Sequence, residues 1–131
     1  MNPVTCLLID DDPDDQEFFS LALKELAPPA ICVFANNGIE GIEKLQSKPQ
    51  FSPDYIFIDM NMPRMNGVEC LSEIKKIKNV KNTPVFLYST SADPKMVNES
   101  KKLGAADFIV KPIGINDLVQ ILIKCFKNTV G

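Results

Sequence analysis

The sequence predicts an α/β protein with a doubly wound, three-layer (βα)5 sandwich, in which helices cover both faces of a parallel sheet. Five short apolar runs alternate with five segments of helical spacing. The apolar runs are nearly continuous, as is typical of strands buried on both faces, and each ends in polar or turn-forming residues. A chain of 131 residues with 45% hydrophobic content can bury one ordinary core, so we expect residues 1–131 to form a single domain.

The five apolar runs are the predicted strands. The third is the most uniformly apolar, and it stops abruptly at Asp59 before a loop that contains Pro63 and Gly67. An acidic residue is therefore expected at the carboxyl edge of the sheet, where open α/β proteins bind their ligands. The predicted strands cover residues 5–9, 30–35, 55–58, 85–88 and 108–110.

Apolar residues at helical spacing follow every predicted strand, and they predict five amphipathic helices. Pro28 and Pro29 end the first helix, and the fourth helix has the least convincing apolar face. The helical stripes are Phe19, Ala22, Leu23 and Leu26; Gly38, Gly41, Ile42 and Leu45; Cys70, Leu71, Ile74 and Ile77; Met96 or Val97, Ser100 and Leu103; and Leu118, Ile121, Leu122 and Cys125.

Charge and cysteine content narrow the classes of function. A formal net charge of -3 and a pI of about 4.9 give no basic field for nucleic acid or an anionic membrane, and we expect neither as a partner. The four cysteines are widely spaced in apolar segments, which is typical of buried thiols in a reducing compartment. Without a signal peptide or a run of about 18 apolar residues, the chain is expected to be cytoplasmic.

The chain contains 0 histidines, which excludes a Ser/His/Asp triad, a Cys/His nucleophile and an imidazole metal site. It also lacks the glycine-rich phosphate loops GxGxxG and GxxxxGK[ST]. The remaining chemistry is that of carboxylates, hydroxyls and lysine.

Such groups follow four of the predicted strands: Asp10 and Asp11, Asp59, Ser89 and Lys111. Because parallel strands end at the same edge, these side chains should meet there. Three neighbouring carboxylates repel one another unless a cation joins them, and an all-oxygen site favours Mg²⁺. Asp59 could then attack a phosphoryl group, while Lys111 neutralises charge and the Ser89 hydroxyl contacts a phosphoryl oxygen.

Each signal also has a simpler interpretation. An Asp-rich turn is commonly a helix N-cap, and we expect Asp14 and Asp15 only to oppose the helix dipole. An EF-hand loop is excluded because Asp15 and Leu21 stand where glycine and glutamate are needed. Ser89 alone is typical of a turn and Lys111 of a surface; their joint placement at one edge favours a site. Arg64 is interpreted as an exposed charge outside that site.

The whole chain resembles the receiver domain of the two-component response-regulator family, from about residue 5 to residue 127. The resemblance implies a flavodoxin-like sheet of order 2-1-3-4-5 and a stand-alone, CheY-like regulator. Four motifs carry it in order: LIDDDP at 8–13, IDMNMPRMNG at 58–67, PVFLYS at 84–89 and FIVKP at 108–112.

The resemblance implies that Asp59 is the phosphoacceptor, served by a phosphohistidine on a sensor histidine kinase or a His phosphotransfer protein. It implies that Asp11 and Asp59 coordinate Mg²⁺, that Asn61 adds its backbone carbonyl, and that Asp10 holds a metal-bound water. Ser89 and Lys111 would bind phosphoryl oxygens. The Lys111-Pro112 bond is expected to be cis.

By the same resemblance, Ser89 and Phe108 form the switch, and Asn61, Thr90 and Ser91 flank the phosphoryl position. Thr90 stands where the family often has Ala or Gly, which implies narrower access to the phosphoryl group. Movement of Ser89 would let the Phe108 ring turn inward and change the helix-four and strand-five face, which would bind a downstream protein or a second copy of the chain.

Two other classes of function remain as alternatives. Asp10-x-Asp12 after a strand resembles the nucleophile motif of haloacid-dehalogenase-type phosphatases, although Asp59 would then have no role. A pseudo-receiver would bind partners without ever taking phosphate, although such domains typically lose an acidic residue or the lysine.

Overall fold

The computed structural model describes residues 3–47 and 50–129, in which five strands alternate with five α-helices. The third α-helix is followed by a short 3-10 helix. In chain order the elements are β1 (Thr5–Ile9), α1 (Pro13–Lys24), β2 (Ile31–Ala35), α2 (Gly38–Ser47), β3 (Tyr55–Asp59), α3 (Gly67–Ile74), the 3-10 helix (Lys78–Val80), β4 (Val85–Ser89), α4 (Pro94–Lys102), β5 (Asp107–Val110) and α5 (Ile115–Thr129).

The five strands form one parallel sheet of order β2-β1-β3-β4-β5, which confirms the predicted fold class and strand order. Two strands are longer at their carboxyl ends than the sequence indicated, because the ladder continues by one pair on each. Asp59 pairs with Tyr88, and Ser89 pairs with Val110. Both polar residues are therefore the last residues of strands, and their backbones are fixed by the sheet.

The core consists of two apolar layers, one on each face of the sheet. Alternate residues of the central strands enter opposite layers: Leu8 and Phe57 pack with α1 and α5, whereas Ile9 and Ile58 pack with α2 and α3. Every residue of β3 is buried, as its uninterrupted apolar sequence predicted. Ser100 is the only buried residue of α4, which agrees with the weak apolar face of that helix.

Three helices begin at polar caps that connect them to the carboxyl edge of the sheet. Asp12 caps α1 by accepting a hydrogen bond from the Asp14 amide, and Asp93 caps α4 in the same way. Asn66 and Glu69 form a reciprocal capping box at the start of α3. The predicted N-cap role of the acidic turn after β1 therefore belongs to Asp12.

Two smaller expectations have different outcomes. The Lys111-Pro112 bond is not cis: among the described residues the one cis peptide is Ala27-Pro28, and trans is the intrinsically favoured form of an X-Pro bond. Burial of the cysteines is confirmed for Cys6, Cys70 and Cys125, while Cys32 is half-buried on an edge strand. In the part of the chain that the structure describes, no helix combines the length and apolar content needed to cross a bilayer.

Gly67 allows α3 to begin directly against the end of β3. Its amide donates a 3.0 Å hydrogen bond to the Met60 carbonyl. A β-carbon at position 67 would lie 2.9 Å from the Met60 Cα and 3.0 Å from the Asp59 carbonyl oxygen. Both contacts are with backbone, so neither can be relieved by a side-chain rotation.

We expect Gly67→Ala to lower the free energy of unfolding by about 2 kcal/mol, because the added methyl overpacks a site that only backbone movement can relieve. Urea unfolding checks this value. Gly114→Ala is the matched control, since the nearest atom to its β-carbon would be 3.7 Å away. Equal losses in the two variants would show that the close approach at Gly67 carries no particular cost.

Candidate functional site

The carboxyl edge of the sheet gathers the charged residues that the sequence singled out. Asp10 follows β1, Asp59 ends β3, and Lys111 follows β5. The Lys111 Nζ lies 3.3 Å from an oxygen of Asp10 and 3.3 Å from an oxygen of Asp59. Residues separated by up to 101 positions in sequence are thus within ion-pair distance at one edge.

Asp10, Asp11 and Asp59 form a candidate divalent-metal site. One carboxylate oxygen of each lies within 4.8 Å of the others, and no second such group occurs among the described residues. Asp10 and Asp59 are buried, whereas Asp11 is exposed, so the cluster opens to solvent on one side. Three anionic oxygen donors with one open side fit a hard cation such as Mg²⁺, which retains several waters when bound to protein.

Asp10 is held rigidly although it is fully buried. Its Oδ1 accepts a 2.9 Å hydrogen bond from the Asp12 amide, and its Oδ2 faces Lys111. Its backbone is also fixed, because its amide donates to the Ala35 carbonyl and its own carbonyl accepts from the Gln16 side chain. Both carboxylate oxygens therefore have partners before any cation binds.

Asp59 differs because only one of its oxygens is engaged. Oδ1 faces Lys111 and also accepts a 3.3 Å hydrogen bond from the Asn61 amide. Oδ2 has no hydrogen bond to any described residue, and no fully buried side-chain oxygen or nitrogen in that set lacks a partner. Oδ2 must therefore reach solvent, which leaves an accessible carboxylate oxygen on a residue that is 5% exposed.

Lys111 is the only cation within ion-pair distance of these carboxylates in the described chain. Its shortest ion pair is with Asp15, at 2.7 Å, and its Nζ also lies 5.1 Å from the centre of the Tyr88 ring. The prediction for Asp15 was incomplete: it lies in the first turn of α1, as expected, but its side chain also turns toward Lys111. The sequence offers no signal for this contact, because first-turn aspartates are common and the two residues are 96 positions apart.

The remaining site residues surround this cluster. Ser89 is buried, its hydroxyl accepts a 3.4 Å hydrogen bond from the Ser91 amide, and its carbonyl accepts a 2.6 Å hydrogen bond from the Lys111 amide. Asn61, Thr90 and Ser91 are exposed. Phe108 is half-buried against the layer that contains α2 and α3, and Arg64 is exposed with a positive φ of 70°.

Burial determines the proton affinity of the carboxylates. Loss of solvent raises the pKa of Asp10 to about 6, and this effect outweighs the opposing hydrogen bond from Asp12 and the charge of Lys111. Burial likewise raises the pKa of Asp59, against the opposing charge of Lys111. Burial lowers the pKa of Lys111, but the hydrogen bond to Asp15 and the neighbouring negative charges more than compensate, so its pKa is raised overall.

The fold and the site define the class as an α/β domain with an acidic cluster and a lysine at its carboxyl edge. A family model described as the response regulator receiver domain matches residues 6–123. The chain therefore belongs to the response regulator receiver domain family, and the resemblance noted in the sequence is confirmed.

Individual relatives support the same assignment. The chain is 34% identical over 114 residues to the chemotaxis protein CheY of Thermotoga maritima, covering 87% of this chain and 93% of that protein. It is also 32% identical over 118 residues to a probable C4-dicarboxylate response regulator, DctR, of Priestia megaterium, covering 90% of this chain but spanning only 50% of that protein.

Two solved structures share the architecture. The phosphorylated cyanobacterial phytochrome response regulator RcpA superposes with a TM-score of 0.84 at 26% identity, covering 99% of this chain and 96% of RcpA. CheY from Borrelia burgdorferi, crystallised in a complex with CheX, BeF3 and Mg²⁺, gives a TM-score of 0.81 at 26% identity, covering 95% and 90% of the two chains.

The raised pKa of Asp10 predicts how the metal-free protein responds to pH. The folded state binds this proton more tightly than the unfolded state, so the contribution of Asp10 to stability falls as pH rises from about 4 to about 6 and is constant above that. Asp10→Asn removes the charge that burial disfavours. The free energy of unfolding of the variant, minus that of wild type, should therefore increase by on the order of 2 kcal/mol when the pH is raised from 4.5 to 8.

Denaturant unfolding in EDTA at the two pH values measures this difference. Asp14→Asn is the control for the loss of one negative charge, because Asp14 is exposed. A constant difference between Asp10→Asn and wild type across this range would contradict the assigned cause.

Proposed function

We propose that this chain is a phosphoacceptor receiver in a cytoplasmic two-component phosphorelay, and that Asp59 takes the phosphoryl group. The observation that carries the proposal is the asymmetry of Asp59: one oxygen faces Lys111 and the Asn61 amide, while the other is open to solvent. A carboxylate held in one orientation with a free oxygen is arranged as a nucleophile.

In the proposed step, the free oxygen of Asp59 attacks the phosphorus of a phosphohistidine on a kinase or phosphotransfer protein. The new O–P bond forms as the P–N bond breaks, and the leaving imidazole takes the bonding electron pair and a proton from solvent. The donor must come from another protein, since this sequence contains 0 histidines.

The chain's own residues have distinct parts in this proposal. Asp10, Asp11 and Asp59 would hold Mg²⁺, together with the Asn61 carbonyl, and the bound ion would supply positive charge against carboxylate and phosphoryl oxygens. Lys111 already lies 3.3 Å from Asp59 and would donate to a phosphoryl oxygen. Ser89 would exchange its hydrogen bond with the Ser91 amide for one to the phosphoryl group.

The relatives support this proposal by analogy. RcpA was solved in phosphorylated form, and the Borrelia CheY was solved with BeF3, Mg²⁺ and a protein partner, CheX. We infer that phosphorylation of this chain changes the face formed by α4 and β5, through Ser89 and Phe108, and that this face then binds a downstream protein or a second copy. Thr90, Ser91 and Asn61 would flank the phosphoryl group and set its lifetime.

We expect acetyl phosphate and Mg²⁺ to add one phosphate to the protein, and Asp59→Asn to abolish the addition while leaving the fold intact. The variant should also be at least as stable as wild type without metal, because burial disfavours the Asp59 charge. Intact-protein mass spectrometry, with hydroxylamine to release an acyl phosphate, measures the adduct.

Asp14→Asn is the control, since Asp14 is exposed on the same edge. Absence of an adduct on the wild-type protein would contradict the proposal and favour a pseudo-receiver. Hydrolysis of a phosphate ester that survives Asp59→Asn would instead indicate a phosphatase that uses Asp10.

Truncating Phe108 should weaken coupling between the site and the α4 and β5 face. We expect Phe108→Ala to lower the free energy of unfolding by about 2 kcal/mol, less than for a fully buried ring, because Phe108 is half-buried. Beryllofluoride should shift the NMR amide signals of residues 94–110 in wild type and shift them less in the variant. Ile31→Ala, on the opposite edge of the sheet, should leave those shifts unchanged.

A further inference from the structure

The Lys111 ammonium group has three N–H donors and three carboxylates within reach. Its distances are 3.3 Å to Asp10 Oδ2, 3.3 Å to Asp59 Oδ1 and 2.7 Å to Asp15 Oδ2. The ammonium donates hydrogen bonds to Asp10 and Asp15, and its contact with Asp59 is an ion pair. The closest partner is the one residue of the three that lies outside the candidate metal cluster.

The difference between Asp15 and the other two carboxylates matters because the proposed reaction changes Asp10 and Asp59. Asp10 and Asp59 offer the oxygens that a divalent cation would attract, so a bound metal would weaken the attraction of both carboxylates for the lysine. Phosphorylation then converts the Asp59 carboxylate into a neutral acyl group bearing the phosphoryl oxygens. Asp15 lies outside the candidate metal cluster and is not the phosphoacceptor, so neither change would remove its charge.

The surroundings of Asp15 fix its position relative to Lys111. It lies in the first turn of α1, whose start is set by the Asp12 cap and by Pro13. Its side chain is 30% exposed, whereas that of Lys111 is 11% exposed, so the contact lies at the border between solvent and the buried cluster. Tyr88 contributes an aromatic ring 5.1 Å from the Lys111 Nζ.

We propose that Asp15 is a positioning residue that holds the Lys111 ammonium at the phosphoryl site when a divalent cation and the phosphoryl group occupy the other two carboxylates. This inference rests on the proposed function. It assigns Asp15 a part in the reaction beyond that of a first-turn acidic residue, and Asp15 acts only through the lysine.

The kinetic test compares Asp15→Asn with Asp14→Asn, because both remove one negative charge from the first turn of α1 and Asp14 is exposed. At saturating Mg²⁺ and acetyl phosphate, Asp15→Asn should be phosphorylated about tenfold more slowly than wild type, as expected for the loss of one charge-assisted contact. Its Mg²⁺ dissociation constant, measured by calorimetry, should stay within about twofold. Asp14→Asn should match wild type in both measurements.

A second measurement observes the lysine itself in the unphosphorylated, Mg²⁺-loaded protein. The ¹H–¹⁵N NMR signal of the Lys111 ammonium, assigned by its loss in Lys111→Met, should be visible in wild type and in Asp14→Asn. In Asp15→Asn it should broaden beyond detection, because the ammonium is released to solvent exchange. This readout does not depend on phosphorylation.

The two measurements separate the inference from the proposed function. If the wild-type protein takes no phosphate, but the ammonium signal is still lost in Asp15→Asn, the proposed function is contradicted. The contact between Asp15 and Lys111 is then supported. An Asp15→Asn variant that is phosphorylated as fast as Asp14→Asn, or whose Mg²⁺ dissociation constant rises by about tenfold or more, would overturn the positioning role.

Discussion

The structure depends on one electrostatic constraint, which is that a single lysine ammonium faces a group of carboxylates at the rim of an apolar sheet. Asp10, Asp15 and Asp59 all lie within ion-pair distance of Lys111, and Asp11 adjoins two of them. One positive charge cannot balance four negative ones in a partly desolvated site. The cluster therefore carries excess negative charge, which favours the binding of a divalent cation.

The fold supports this arrangement by fixing the backbones that carry the charged side chains. Asp59 and Ser89 end adjacent strands whose ladders continue to their last residues. Gly67 lets α3 begin in contact with the backbone at the end of β3, and Asp12 turns the chain into α1 while donating its amide to Asp10. The apolar layers on both faces provide the free energy that offsets the unfavourable burial of Asp10.

Much of this could be predicted from the sequence, because it follows from local pattern and topology. Continuous apolar runs indicate buried parallel strands, and parallel strands bring their carboxyl ends to one edge, so Asp10, Asp59 and Lys111 could be brought together without coordinates. The Asp15 contact could not, because its sequence context is fully explained by a helix start. The ends of β3 and β4 were one residue short in the prediction because a polar side chain does not end a backbone ladder.

The path from the site to the α4 and β5 face follows from the same geometry. The Lys111 amide donates to the Ser89 carbonyl, and two residues before Ser89 along β4, Leu87 pairs with Phe108 of β5. Under the proposed function, a change at Ser89 would thus act on the strand that carries the aromatic ring. Helix α4 packs against this region with Ser100 as its only buried residue, so few apolar contacts oppose its movement. Under the proposed function, α4 would therefore be the helix that moves at least cost when Asp59 is phosphorylated, because α1 and α5 bury several apolar residues on the other face.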